Sequence, residues 1–331
     1  MKNKFKNKII LVTGGTGTIG SELVTQLLKY EPRQIRVYSR NETSQYYLRE
    51  KLGANSNVRM LIGDVRDKSR LEFAMEGVDI VFHAAAMKHV SACEYNPQEV
   101  IKTNILGSQN VLEAALDKKV RLVVAISTDK VADPVNILGV SKLMMEKLFI
   151  NTGLILSNRQ TKFTCVRFGN VSWSNGSVLP TWKKQAGGKG VIKVTDKNMT
   201  RFMMSIENAV GLILRAAELA QGGEVFILRM SSIKLADLAN IFLEKYFPGE
   251  KIKVEEVGNR GGEKTHEHLF GPTDSAREVW ADDKMFVLLP AADIYGLKYS
   301  KRRYKNFKRV SFPKDYSSEG QLDIDKIKEI I

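Results

Sequence analysis

Near the start of the chain, Lys8-Ile-Ile-Leu-Val-Thr-Gly-Gly-Thr-Gly-Thr-Ile-Gly20 passes from a β-branched apolar run through glycines into a helical pattern over Ile19–Tyr30. Lys8–Thr13 reads as a buried strand, and Gly14, Gly17 and Gly20 stand in the spacing G-x-x-G-x-x-G, with Thr16, Thr18 and Ile19 between them. Glycines so placed allow a tight turn, close approach of backbone to a pyrophosphate, and close packing of helix on strand, while the helix N-terminus holds the anionic charge. The motif alone is weak. Strand, loop and helix in that order make it a dinucleotide-binding loop.

Outward from this unit, Gln34–Ser39, Val58–Ile62, Asp79–His83 and Leu122–Ser127 read as further strands, with helical patterns between them, the clearest over Pro97–Lys118. Continuous Val/Ile runs alternating with helices predict a parallel sheet covered on both faces, a doubly wound α/β (Rossmann) fold. Past Arg167 the pattern loosens: Gly169–Gly176 reads as loop, Gly187-Gly-Lys-Gly190 as a turn, and Ile206–Leu219 and Leu235–Phe247 as helices. The expected organisation is a nucleotide-binding domain over 1–170, to which 205–232 returns, and a smaller interleaved substrate region over 171–204 and 233–331.

Composition narrows the class. The chain has 331 residues, 43% hydrophobic and 27% charged, which suits a globular protein with an ample core. It has no apolar run of membrane-spanning length and no signal-peptide pattern, and its two cysteines, Cys93 and Cys165, have no framework or metal spacing. A cytoplasmic setting is the expectation. The net charge of +14, concentrated partly in Lys301-Arg-Arg-Tyr-Lys-Asn-Phe-Lys-Arg309, suits acidic partners. With no nucleic-acid-binding module in view, it reads as a solvated basic face.

The end of the second strand bears on the cofactor. An acidic residue there would favour NAD; the sequence has Ser39-Arg40-Asn41, with Glu42 beyond. A guanidinium suits a 2′-phosphate, so NADP is favoured over NAD. Asp64, after the third strand, is placed to reach an adenine amino group or to cap the following helix.

With these residues quoted, the chain resembles the extended short-chain dehydrogenase/reductase superfamily. More narrowly, it is similar to the nucleotide-sugar 4,6-dehydratases of bacterial polysaccharide biosynthesis that act on UDP-N-acetylglucosamine. The segments that carry the likeness are His83-Ala-Ala-Ala-Met-Lys-His-Val90, Ser127-Thr-Asp-Lys130, Pro134 with Gly139-Val-Ser-Lys142, and Arg167-Phe-Gly-Asn-Val171. Gly176-Ser-Val-Leu-Pro180, Met199-Thr-Arg-Phe202, Gly262-Glu-Lys264 and Tyr316-Ser-Ser-Glu319 continue it along most of the chain. The resemblance implies that Thr128, Asp129 and Lys130 line the reaction centre and that Lys142 holds the nicotinamide ribose. It sets Val65, Ala84, Ala85, Ala86, Lys88 and Asn104 against the cofactor. Lys88, His89, Asn170, Ser177, Val178, Arg201, Arg260 and Glu263 would grip a UDP-sugar. It also implies a homodimer or higher homo-oligomer, paired through Pro97–Lys118 and Gly139–Leu156.

One position departs from the superfamily: its usual catalytic tyrosine, four residues before the lysine, is here Leu138. Leucine moves no proton, and the branch accepts an apolar residue there. The departure weighs against a nucleotide-sugar epimerase or reductase, and the retained Thr128-Asp129-Lys130 weighs against a non-catalytic NADP-binding sensor. The same reaction on GDP-N-acetylglucosamine stays open. Dehydration needs a base for the sugar C5 proton and an acid for the 6-hydroxyl; Lys130 is read as the base, on a lowered pKa, and Asp129 as the acid. His83 reads as a core residue, Trp173 and Trp182 as packing, and His266 and His268 as a strand-face pair with no metal.

Overall fold

The β-branched runs become strands to within one residue of the expected bounds: β1 (Ile9–Thr13), β2 (Gln34–Ser39), β3 (Val58–Ile62), β4 (Ile80–His83) and β5 (Leu122–Ile126). These come from a computed structural model that describes residues 3–53, 57–155, 160–259, 261–291 and 304–331. Arg260 and residues 301–303 lie outside the described residues. The chain adds β6 (Lys162–Arg167), β7 (Asn170–Val171), β8 (Val191–Val194), β9 (Thr200–Met204) and β10 (Val225–Leu228). It closes with β11 (Ser231–Lys234), β12 (Lys253–Glu256), β13 (Val279–Ala281), β14 (Met285–Leu288) and β15 (Lys308–Val310).

The main sheet has ten strands in the order β15-β13-β14-β10-β6-β5-β4-β1-β2-β3. From β10 to β3 every pairing is parallel. β4 and β5 are buried along their whole length, as strands covered on both faces must be. β1 lies between β2 and β4, so the chain's winding reverses there and leaves a crevice at the strand ends.

The helices are α1 (Thr18–Leu28), α2 (Glu42–Leu52), α3 (Lys68–Ala74), α4 (Val90–Tyr95), α5 (Pro97–Val100) and α6 (Gly107–Asp117). After them come α7 (Ile137–Ile155), α8 (Val178–Lys189), α9 (Ile206–Leu219), α10 (Leu235–Tyr246) and α11 (Ile324–Ile330). None of the described helices is long and apolar enough to cross a membrane.

Three expectations need correction. The helix over Pro97–Lys118 is interrupted by a π-helical stretch, Ile101–Leu106, which turns Asn104 toward the loop after β4. Gly187 and Gly188 are not a turn: they end α8, and only Gly190, left-handed at φ 61°, stops it. The substrate region does not keep all of 233–331, because β14 pairs antiparallel with β10, β13 with β14 and β15 with β13, which extends the main sheet. Those strands have three or four residues each, too short to show a period. The rest of the second half forms a three-stranded β11-β9-β7 sheet and a β12-β8 pair. These pack around a second core of Leu179, Trp182, Met203, Ile233, Leu238 and Phe242.

Candidate active site

The glycine loop joins β1 to α1 as its spacing requires. Gly14 sits at φ 66°, and a Cβ there would stand 2.7 Å from the Ala85 amide. At Gly20 a Cβ would come within 2.3 Å of the Gly14 carbonyl, so only glycine lets the helix close on the turn. Gly17 is exposed and caps α1 with no side-chain bond, leaving the first helical amides open toward the crevice. Thr16, Thr18, Ile19, Ala84, Ala85 and Ala86 are half-buried around it. Asn104 Oδ1 accepts from the Met87 amide (2.8 Å), and its Nδ2 donates to the Met87 carbonyl (3.1 Å), which fixes the Ala84–Met87 loop. The donors and the cleared backbone fit a dinucleotide.

At the end of β2, Ser39 is half-buried and Arg40 is exposed, with its guanidinium 3.7 Å from Asp64. Arg66, which sequence reasoning missed, holds Asp64 more closely: its Nε donates to Oδ2 at 2.8 Å. Asp64 is not the cap of α3; Asp67 is, accepting from the Arg70 amide. Val65 is buried behind the loop.

Thr128, Asp129 and Lys130 follow β5 directly, where the strand end delivers them to the crevice. Thr128 Oγ1 donates to Asp129 Oδ1 (2.8 Å), and Lys130 Nζ donates to the same oxygen (3.0 Å). Asp129 is fully buried, and its Oδ2 has no partner among the described residues. Here the structure departs from the expected lowering at Lys130. Burial does push its pKa down, but Asp129 and Glu267 together outweigh that, against opposition from Arg201, and the pKa is raised. The resting amine is an ammonium.

Lys142, one turn beyond Leu138 in α7, is buried, and its Nζ donates to the Ile126 carbonyl at 2.8 Å. Desolvation brings its pKa down to about 8, against weaker pulls upward from Cys165 and Glu146. Leu138 is buried beside Cys93 and Val100, an apolar seat with no proton to offer.

The second half brings its residues to the same place. The Asn175 amide donates to Thr18 Oγ1 (3.0 Å), which ties the loop before α8 to the cofactor turn. The His89 ring lies so close to Gly176 that a Cβ there would be 2.3 Å from His89 Cε1. Ser177 begins α8 with a buried Oγ that has no partner among the described residues, and Val178 follows it. Asn170 is half-buried in β7, paired to β9, which carries Arg201. Arg201 is 8% exposed and donates to the Thr200 (2.8 Å) and Thr265 (3.1 Å) carbonyls. Glu263 has a buried oxygen without a partner among the described residues. Lys88 stands exposed beside His89.

His83 is a core residue, bonded to Thr13 (2.8 Å) and Ser108 (3.0 Å). Trp182 packs in the second core, with its indole donating to the Lys193 carbonyl. His266 Nδ1 shares a hydrogen with Thr200 Oγ1.

Residues 10–288 match the model of a family described as polysaccharide biosynthesis protein. A UDP-N-acetylglucosamine 4,6-dehydratase (inverting) from Campylobacter jejuni is 45% identical over 82% of this chain and 80% of its own. A UDP-glucose 4-epimerase from Rickettsia canadensis is 37% identical over 99% and 96%. The X-ray structure of Pen from Bacillus thuringiensis superposes with a TM-score of 0.87 at 40% identity, covering 98% of each chain. The fold and crevice define an extended short-chain dehydrogenase/reductase. Within that class, the chain belongs to the polysaccharide biosynthesis protein family.

Proposed function

We propose that the chain is an NADP-dependent UDP-N-acetylglucosamine 4,6-dehydratase that forms a UDP-4-keto-6-deoxy-N-acetylhexosamine. The observation that carries this reading is the Asp129–Lys130 pair at the end of β5, its carboxylate fully buried, together with a Leu138 that supplies no hydroxyl. The Campylobacter relative supports dehydration; the Rickettsia relative is the reason to keep 4-epimerisation as the second reading. An epimerase exchanges hydride at C4 alone and gains nothing from a second acid–base pair, so Leu138 with Asp129–Lys130 favours dehydration.

An NADP held by the glycine loop, Arg40 and Lys142 would supply a hydride acceptor that is regenerated within the cycle, so net redox would be nil. The chain's own task is to move protons. Lys130 Nζ and Asp129 Oδ1 already share a hydrogen bond of 3.0 Å. Once substrate closes the crevice, the ion pair becomes costly, and the proton can pass along that bond to leave a neutral amine and a neutral acid. The amine then takes the C5 proton and the acid gives its proton to the departing 6-hydroxyl, which restores the ion pair. The ammonium returns a proton to C5 as hydride reaches C6, and the proton released from the 4-hydroxyl on oxidation replaces the one the pair has lost. This reconciles a resting ammonium with a catalytic base. Arg201, Asn170, Ser177, Val178, Lys88, His89 and Glu263 would hold the sugar nucleotide, and Lys142 the cofactor ribose; Arg260 would join them.

Incubation with UDP-N-acetylglucosamine followed by NMR of the product tests the reading. A 6-methyl signal with loss of the C4 proton supports it. A C4 epimer with the 6-hydroxymethyl group intact replaces it with the epimerase reading.

Arg40→Asp is expected to weaken NADP relative to NAD by about 10–10²-fold, since it trades a phosphate partner for a repelling charge. Titration of both cofactors checks this, and an unchanged ratio would show that Arg40 does not face the 2′-phosphate. The same reading makes the chain a homodimer. Val140 and Met144 of α7, with Ile101 and Leu106, leave large apolar side chains 46–54% exposed on neighbouring helices. Sedimentation at micromolar concentration should find a dimer or larger species; a monomer there refutes the pairing.

A further inference from the structure

Glu267 lies far along the chain from the Asp129–Lys130 pair yet is built into it. It is 3% exposed, and its Oε1 stands 3.5 Å from Lys130 Nζ. Its Oε2 is buried with no hydrogen-bond partner among the described residues, a costly state that structures rarely keep without use. The strap that delivers it is fastened on both sides. Asn136 Nδ2 donates to the Gly262 carbonyl (2.7 Å), and Lys264 Nζ donates to the Ala132 carbonyl (2.9 Å). The Glu267 amide donates to Ser318 Oγ (2.8 Å), and the Ser318 amide returns a bond to the Glu267 carbonyl (2.8 Å). The carboxylate is therefore held against Lys130 by a rigid frame and not by its own ion pair.

We propose that Glu267 is a positioning residue of the reaction centre: it holds the Lys130 amine beside Asp129 and keeps its own negative charge while the Lys130 proton moves. This rests on the reading of Asp129–Lys130 as the proton-transfer pair. When the Lys130 N–H bond breaks and the Asp129 O–H bond forms, both partners become neutral, and Asp129 no longer attracts the amine. The charge left on Glu267 is then what strengthens the amine as a base for C5 and draws the proton in. The charged groups acting on Lys130 are Asp129 from the turn after β5, Glu267 from the strap and Arg201 from β9; the first two favour the ammonium and the third opposes it.

Glu267→Gln keeps the shape and removes the charge. In the holoenzyme with lysines labelled at the ε-carbon, the Lys130 signal, assigned by its absence from Lys130→Arg, should titrate at lower pH in Glu267→Gln than in wild type. Turnover of UDP-N-acetylglucosamine should fall about 10–10²-fold in kcat with KM nearly unchanged, and C5 deuterium exchange should slow with it. Glu267→Asp, which restores the charge, should recover part of the rate. An unmoved Lys130 titration overturns the proposal whatever happens to activity, since a merely structural strap would lower kcat and thermal stability together without changing the amine. Unchanged kcat also overturns it. A wild-type protein inactive on this sugar nucleotide refutes the dehydratase reading instead, and the lysine titration still reports whether Glu267 governs Lys130.

Discussion

Lys130→Arg is expected to abolish turnover while leaving a folded protein with its cofactor in place. Arginine keeps the positive charge that Asp129 and Glu267 surround, but it does not give up its proton in a protein, so it cannot act as a base. Lys130→Ala should be as inactive, but it also leaves two buried carboxylates without their cation and should be less stable. The pair of variants separates charge from proton transfer. Loss of a general base costs about 10²–10⁴ in rate, and more where the same group returns the proton to C5. Both variants should also lose solvent deuterium exchange at C5, the step assigned to the amine. Mass spectrometry of product formed in heavy water reads this directly. If Lys130→Ala stayed active and still exchanged deuterium at C5, proton abstraction would have to pass to Asp129.

Parts of this centre were open to reading in the sequence and parts were not, for physical reasons. The glycine turn and the strand ends at Thr13, Ser39 and Ile126 follow from local signals, apolar runs punctuated by residues that only turns tolerate. Thr128, Asp129 and Lys130 are adjacent in the chain, so their grouping needed no fold. Glu267 was invisible because its partnership with Lys130 exists only when the strap crosses the turn at Ala132–Asn136. For the same reason the Lys130 shift runs opposite to the lowering expected from sequence: Glu267 adds a second carboxylate that no neighbouring stretch of the chain reveals. Gly187 and Gly188 read as a turn because glycine is a poor helix former, yet tertiary packing of Trp182 and Ala186 carries α8 through them.

The largest stability effect is expected at Arg167, in a quartet of buried charges drawn from three segments. Its guanidinium meets Glu146 of α7 (2.7 Å) and Asp274 (2.8 Å), and Arg277 lies 3.4 Å from the other oxygen of Asp274. Arg167 also donates to the Leu269 carbonyl (2.8 Å), so it joins α7, β6 and the segment before β13. Two positive and two negative groups balance. Arg167→Met strips Glu146 of its hydrogen-bonded cation and leaves only the more distant Arg277, and should cost about 3–5 kcal/mol, a large share of a total of roughly 5–15. Arg167→Met/Glu146→Met should be more stable than the single variant, because Asp274 keeps Arg277 and no carboxylate is stranded. The pH dependence carries a sign that can be checked. Burial alone would raise the Asp274 pKa, but the charge and hydrogen bond of Arg167, with help from Arg277, hold it below the ordinary carboxylate value. A depressed pKa gives stability that is present above the unfolded value and lost as pH falls through the folded one. Wild type should therefore lose more on acidification than Arg167→Met, and the stability gap between them should narrow below about pH 4. Denaturant titrations at neutral and acid pH measure both terms. A single variant as stable as the double, or a gap that widens in acid, would show that Arg167 does not neutralise this cluster.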